Sequence, residues 1–125
     1  MPSGQLLTLT WHVPGTLAAD LDIRQKMPYD AQLIHVSAVG SNAAAAGLEI
    51  GIGTDADAHM VKKSIGVSRT PVEFDVDDFT GASTKTYPRI SKGAQLIFTL
   101  DYNYNGGGGA SASADVTITA TLAQG

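Results

Sequence analysis

The sequence predicts an all-β protein of one domain, built as an antiparallel sandwich or barrel. Three observations support this class. Apolar and polar side chains alternate with a period of two along most of the chain, as they do on half-buried strands. Turn residues separate about eight short strands at spacings of roughly 8–15 residues. No stretch keeps the period of an amphipathic helix, and the 125 residues suit a single domain over 1–125.

The first two strands show this alternation clearly. The first covers residues 5–13 and ends at Pro14-Gly15. One of its faces carries Leu7, Leu9, Trp11 and Val13, and the other carries Leu6, Thr8, Thr10 and His12. In the second strand Ala19, Leu21 and Ile23 lie opposite Asp20, Asp22 and Arg24. Both strands are therefore expected to bury one face and expose the other.

The middle of the chain is less regular. Residues 31–39 are apolar on both faces, with Leu33 and Val39 opposite Ile34, Val36 and Ala38, which predicts a central strand covered on each side. The short run 43–46 is expected to form a loop or a single turn. In the next strand, glycines alternate with Leu48, Ile50 and Ile52, so a neighbouring backbone could approach closely on the glycine side. Residues 54–69 are consistent with a short strand or an irregular edge.

The last strands are predicted from strict alternation. Val72, Phe74 and Val76 form a strand whose outward face carries the acidic residues Glu73, Asp75 and Asp77, followed by Asp78. The closing pair has two apolar faces, which consist of Leu96, Phe98, Leu100 and Tyr102 and of Val116, Ile118, Ala120 and Leu122. Threonines on the opposite face of each strand are expected to meet solvent.

Composition excludes several classes of protein. Charged residues make up 16% of the chain, below the usual share of about 25%, and the net charge is −4. Because no basic stripe is present, we expect no nucleic-acid partner. The absence of cysteine rules out thiolate metal sites and cysteine nucleophiles. The N-terminal stretch lacks the features of a signal peptide or a membrane span, so the protein is expected to act where it is made, without membrane contact.

The best candidate for a metal site is Asp55-Ala56-Asp57-Ala58-His59. On an extended segment the alternate side chains Asp55, Asp57 and His59 would point to one side, where two carboxylates and an imidazole could hold a divalent cation. The segment departs from the EF-hand pattern, since Met60 and Gly66 occupy the positions of the required Gly and Glu. A solvated loop is the simpler interpretation, and no cofactor is expected.

A second candidate region follows Tyr102. Gly106–Gly109 lacks the G-K-[ST] of a phosphate loop and leads into a strand, so it is not a nucleotide site. Its composition is typical of a mobile hairpin loop. The alternative is a loop that contacts a partner through amphipathic tyrosines, and the candidates are Tyr102, Tyr104, Asn105, Gly106 and Gly107.

Three stretches resemble a known type of protein. They are Met27–Ala38, Leu48–Ile52 and the closing pair Ile90–Asp101 with Ala114–Ala120. Together they resemble the small jelly-roll-like β-sandwiches of tailed-phage virions, in particular capsid decoration (cement) proteins. The resemblance implies a non-enzymatic structural protein that is made in the host cytoplasm, binds the major capsid protein on the capsid exterior, and stabilises the shell by bridging its subunits. It also implies a homo-oligomer, a dimer or a trimer.

Two other functions remain open at this point. A phage tail or fibre module that binds a receptor or carbohydrate would need an exposed aromatic platform, for which the candidates are Trp11, Tyr29, Tyr87, Tyr102 and Tyr104. Trp11 shares the apolar face of its strand and is expected in the core. A metal-dependent hydrolase would use Asp55, Asp57 and His59. The low charge itself indicates a partner surface, because Thr, Ala and Gly occupy outward positions that Lys and Glu would hold in a solitary protein.

Overall fold

The computed structural model describes residues 5–17, 19–40, 46–65, 70–102 and 114–124. Within these ranges the chain forms nine β-strands and one short 3-10 turn, Ala82–Thr84. The strands are β1 (Leu6–Thr16), β2 (Leu21–Lys26), β3 (Ala31–Val39), β4 (Gly47–Ile52), β5 (Asp55–Ser64), β6 (Val72–Phe74), β7 (Arg89–Ile90), β8 (Gln95–Asp101) and β9 (Ala114–Gln124). No helix in the described ranges is long and apolar enough to cross a bilayer.

The strands form two antiparallel sheets with jelly-roll connectivity. Sheet I has the order β1-β9-β3-β6, with β7 also paired to β3, and sheet II has the order β2-β8-β4-β5. The pairs are nested, because β4 pairs with β5, β3 with β6 and β7, β2 with β8, and β1 with β9. This nesting is that of a long hairpin rolled into two sheets, and it confirms the predicted jelly-roll-like sandwich. Since β6 and β7 share one edge of β3, they fill a single strand position, and the expected number of about eight strands holds.

The core lies between the two sheets and follows the predicted alternation in most strands. On β8 the side chains of Leu96, Phe98 and Leu100 are fully buried, and on β9 the whole predicted apolar face is fully buried as well. On β1 the apolar side packs more loosely, since Trp11 is only partly buried at the sandwich edge. Its ring lies 4.8 Å from that of Phe98, centroid to centroid, and joins the two sheets. Trp11 therefore packs against the core from the predicted apolar face, but it is only partly buried.

The prediction for β3 was correct in its position but wrong in its faces. β3 pairs on both edges, with β9 on one side and with β6 and β7 on the other, so it is a central strand. Its register against β9 shifts between Leu33 and His35. This β-bulge turns Val36 and Ala38 to the same buried side as Leu33, whereas strict alternation places them opposite. The outer face of β3 is half-buried, so it is not covered to the same degree as the inner face.

The glycine positions in β4 do permit a close backbone approach. Two register shifts interrupt the pairing of β4 with β5, and at the second, between Ile50 and Ile52, the β5 chain bulges over Gly51. A Cβ atom built at Gly51 would lie 2.0 Å from the Asp55 carbonyl oxygen, so only glycine fits there without moving the backbone. The region 54–69, which the sequence left between a strand and an irregular edge, contributes β5 in its described part.

The predicted strand after Pro71 is shorter than expected. β6 ends at Phe74, because the residues that follow form a turn in which the Asp78 amide donates to the Asp75 carbonyl oxygen at 2.9 Å. The first strand is longer than predicted, since β1 continues through Pro14-Gly15 to Thr16 with a register shift after Val13. The predicted turn at 43–46 lies outside the described residues except for Ala46.

Candidate functional site

The predicted metal-binding residues all lie on β5, but they do not form a ligand group. Among the described residues, no three His, Asp or Glu side chains come close enough to hold a metal ion. Asp55 and Asp57 are exposed, whereas His59 is buried. The reason is the bulge over Gly51, which interrupts the alternation so that His59 and Met60 are buried in succession. The expectation of a shared face for these three residues was therefore wrong.

His59 is an unusual group in its own right. Its Nε2 atom is buried and has no hydrogen-bond partner among the described residues. Burial lowers the pKa of His59, and the carboxylate of Asp55 offsets part of this effect. The backbone carbonyl of His59 accepts a hydrogen bond from the Thr80 amide at 2.8 Å. The residue therefore lies beneath the 75–81 turn, in a position that favours the neutral imidazole.

The acidic residues after Pro71 also have structural roles. Glu73 lies 3.2 Å from His35 Nε2 on the neighbouring strand β3. The carboxylates of Asp75 and Asp78 accept backbone amides within their own turn, from Asp77 and Asp75 respectively, each at 3.0 Å. The prediction that the acids share the outward face of one strand holds only for Glu73, since the chain turns at Asp75.

The predicted contact loop lies mostly outside the described residues. Tyr104, Asn105, Gly106 and Gly107 all fall there, whereas Tyr102 is described. Tyr102 packs against the core, and its amide donates to the Asp20 carboxylate at 3.2 Å. The segment begins after β8 in sheet II and ends at β9 in sheet I.

Aromatic side chains do not form an exposed platform in the described part of the chain. Trp11, Tyr29 and Tyr102 are partly buried and packed against the core, and Tyr87 is half-buried. The exposed large apolar side chains among the described residues are Leu6 and Val61. The ring stacking expected of a carbohydrate-binding module thus finds no support in these residues. Tyr104, the remaining candidate, lies outside them.

The two outer faces of the sandwich differ in charge, and this difference marks the best candidate surface. Sheet II is charged, with Asp22 and Arg24 on β2 joined by an ion pair of 3.2 Å, and Lys62 on β5 bonded to Asp101 on β8 at 2.9 Å. That hydrogen bond raises the pKa of Lys62. The three adjacent strands of sheet I contain no Lys, Arg, Asp or Glu over residues 6–13, 116–124 and 31–39.

The outward side of these three strands carries a grid of hydroxyl groups, which we call the hydroxyl face. It consists of Thr8, Thr10, Thr117, Thr119, Thr121 and Ser37. Register sets the rows, because Thr8 pairs with Thr121, and Thr10 pairs with Thr119, which in turn pairs with Ser37. The hydroxyls of Thr10 and Thr119 lie 3.5 Å apart. Such cross-strand pairs leave hydrogen-bonding capacity directed outward from a regular sheet.

Two histidines border the hydroxyl face. His12 Nδ1 lies 2.9 Å from the Thr117 hydroxyl, and His35 pairs with Thr121 across the β3–β9 ladder. The sequence contained the signal for this surface in its outward threonines and its lack of charge. It did not show that the threonines of β1 and β9 stand side by side, because that depends on the pairing of the first strand with the last.

Two open depressions lie elsewhere on the surface. One, of about 590 Å³, is lined mainly by apolar atoms around Met27, Pro28 and Gly93. The other, of about 380 Å³, lies on sheet II beside Asp22, Arg24 and Thr99. In the second, Asp22 accepts a hydrogen bond from Thr99 at 3.0 Å and pairs with Arg24, so its carboxylate is engaged by its neighbours.

Comparison with solved structures relates the fold to that of a virion protein. One chain of the cyanophage Pam1 capsid asymmetric unit matches with a TM-score of 0.57 and 15% identity, covering 98% of this chain and 87% of that chain. A Yersinia pseudotuberculosis mitogen matches with a TM-score of 0.35 and 12% identity, covering 97% and 86%. A Desmodium yellow mottle tymovirus chain matches with a TM-score of 0.32 and 13% identity, covering 99% and 82%.

The last two scores are too low to carry an argument. No protein-family model and no curated protein matches the chain. The first similarity establishes that this chain shares the fold of one chain of a cyanophage capsid.

Proposed function

We propose that this chain is a phage capsid decoration protein, which binds the outside of the assembled shell and stabilises it by bridging capsid subunits. The partner is the major capsid protein, and the chain acts as a homo-oligomer. The observation that carries the proposal is the shared fold with a chain of the cyanophage capsid. That alignment covers 98% of this chain and 87% of the matched chain.

The hydroxyl face supports the same proposal. A protein interface is depleted of Lys, Glu and Asp at its centre, because charged groups lose hydration that the partner must replace. Three adjacent strands that carry no charge over residues 6–13, 31–39 and 116–124 offer such a surface, whereas sheet II carries Asp22, Arg24, Lys62 and Asp101. The threonine hydroxyls can donate and accept hydrogen bonds, so they can pair with the backbone or polar side chains of a partner. No charged group has to lose its hydration when these bonds form.

Shell stabilisation follows from binding to the assembled state. A ligand that binds assembled capsid and not free subunits shifts the equilibrium toward assembly, by about 2.7 kcal/mol per site when its concentration is a hundred times the dissociation constant. Bridging requires that each oligomer contact more than one capsid subunit. The loop candidates Tyr102, Tyr104, Asn105, Gly106 and Gly107 remain a second predicted contact region.

The proposal is tested by co-sedimentation of the purified chain with mature capsids that lack it. We expect saturable binding and a higher melting temperature of the capsid. The variant Thr119→Lys, which places a charge at the centre of the hydroxyl face, is expected to weaken binding. Val61→Lys is the matched control, since Val61 is exposed on β5 of sheet II. If the unmodified chain fails to bind capsids, the decoration proposal is wrong.

A further inference from the structure

We infer that the outer edge of β1, which pairs with no strand among the described residues, is a self-association site, where two copies of this chain pair their β1 strands antiparallel and join their sheets I into one continuous sheet. This locates the homo-oligomer contained in the proposed function. Its test uses the purified chain without capsids, so that its failure and the failure of the capsid proposal can be told apart.

The other sheet edges of the described structure are each protected against pairing. At one edge of sheet II, β2 exposes Asp22, Arg24 and Lys26 in alternation. At the opposite edge, β5 carries acidic and basic residues and two register shifts. The far edge of sheet I is broken into the short strands β6 and β7, each preceded by a proline. Charges, bulges, prolines and short strands are the devices by which proteins prevent edge-to-edge association.

The β1 edge has none of these protections over residues 6–13. This stretch, LLTLTWHV, has no charged residue and no proline or glycine, and its register with β9 is regular throughout. Leu6 at its start is 70% exposed. A long, regular, uncharged edge strand rich in β-forming residues is a template for another strand.

The hydrogen-bonding groups of this edge can be assigned from one contact. The Gln124 amide donates to the Gln5 carbonyl at 2.7 Å, which makes these two residues a hydrogen-bonded pair of the antiparallel ladder. Such pairs alternate along the ladder, so the odd residues of β1 direct their backbone groups to β9. The even residues direct theirs away from the sheet, and these are Leu6, Thr8, Thr10 and His12.

A second copy of the chain fits this edge because the strand is complementary to itself. In antiparallel pairing, the apolar inward side and the polar outward side stay aligned only when residues of equal parity lie opposite each other. Of the registers that meet this condition, the two with the longest overlap within the regular part of β1 are centred on Thr10 and on Leu9. In the first, Thr10 faces its own copy and Thr8 faces His12. In the second, Thr8 faces Thr10 and Leu6 faces His12.

Both registers give favourable contacts on each side of the joined sheets. Polar groups meet on the outside, and on the inside either Leu9 meets Trp11 or Leu7 meets Trp11. No charge opposes a like charge in either arrangement. Each of the other edges, paired with its own copy, would bring charged side chains close together. The hydroxyl faces of the two copies would then form one surface of twice the width, which suits the bridging of capsid subunits.

The first experiment measures the mass of the purified chain by sedimentation equilibrium, with the variants Thr10→Lys and Thr119→Lys. We expect a dimer of the 12.9 kDa chain. Thr10→Lys places two ammonium groups at the centre of the β1–β1 contact and is expected to raise the dissociation constant at least about tenfold. Thr119→Lys is the matched control, because Thr119 is the register partner of Thr10 on the same face but one strand from the edge. It should leave the dimer intact.

The second experiment uses the absence of cysteine from the chain. Under mild oxidation, Thr10→Cys is expected to form disulfide-linked dimers in the register centred on Thr10. A mixture of Thr8→Cys and Thr10→Cys is expected to form the mixed dimer in the register centred on Leu9. Thr119→Cys controls for collisional cross-linking.

A chain that is still monomeric at a concentration of about 100 µM would overturn the inference. So would equal effects of Thr10→Lys and Thr119→Lys on the dissociation constant, or a dimer without cross-linking above the Thr119→Cys background. If the edge pairs only with capsid protein and not with a second copy, the chain will be monomeric alone, and the inference is again wrong.

Discussion

Phe98 is the residue whose removal should cost the fold most. It lies fully buried in the middle of β8, opposite Ile23 of β2 and Ile50 of β4, and its ring contacts Trp11 of the other sheet at 4.8 Å between centroids. Truncation to alanine leaves a cavity between the sheets and removes the aromatic pair. Buried Phe→Ala substitutions cost about 3–5 kcal/mol, and we expect a loss in this range for Phe98. Domains of this size have a total stability of about 5–15 kcal/mol.

Urea denaturation of Phe98→Ala measures this loss directly. We expect the midpoint to fall while the slope stays constant, because the same surface is exposed on unfolding. Val61→Ala, at a residue 54% exposed, is the control and should change stability by no more than about 0.5 kcal/mol. Phe98→Asp, which buries a carboxylate without a partner, should not fold. A loss below about 1 kcal/mol for Phe98→Ala would show that Phe98 does not hold the two sheets together.

Three further predictions concern other parts of the chain. Gly51→Ala should destabilise the protein by about 1–3 kcal/mol or more in the same urea assay, since its Cβ would lie 2.0 Å from the Asp55 carbonyl oxygen. An unchanged urea midpoint would contradict the bulge of β5 over Gly51. Burial lowers the pKa of His59, so below pH 6.5 the unfolded state takes up a proton more readily than the folded state, and stability should fall on acidification. In melting temperatures measured between pH 7.5 and about 5, His59→Leu should show a smaller fall than the control His12→Gln. Shortening Gly106–Gly109 should alter capsid binding more than the melting temperature, and an unfolded variant would refute this.

The fold was predictable from the sequence to the extent that strands keep strict alternation. On β9 the predicted faces are the observed ones, and on β8 they are too except at Ile97, which is buried on the side opposite Phe98. The prediction failed where one extra residue entered a ladder, as between Leu33 and His35, because a bulge reverses every later side chain and leaves no mark in the hydrophobic pattern. The turn after Phe74 was missed for a related reason, since Asp75 and Asp78 look alternating but bind backbone amides.

The candidate surfaces were predictable only in part. The deficit of charge and the outward threonines were visible in the sequence, and they form the hydroxyl face. Its continuity, and the position of β1 at an unprotected edge, depend on strand order, which brings Thr10 beside Thr119 although they are far apart in the chain. The candidate metal residues Asp55, Asp57 and His59 were expected on one face because regular extension was assumed through residues 55–59, where the chain bulges.

The central claim is that this jelly-roll sandwich binds assembled phage capsids from the outside. The most direct measurement is the melting temperature of capsids lacking the chain, recorded as the purified chain is added up to saturation. We expect a rise in melting temperature that saturates with bound chain and is reduced for Thr119→Lys but not for Val61→Lys. Capsids that neither retain the chain on sedimentation nor melt at a higher temperature would contradict it.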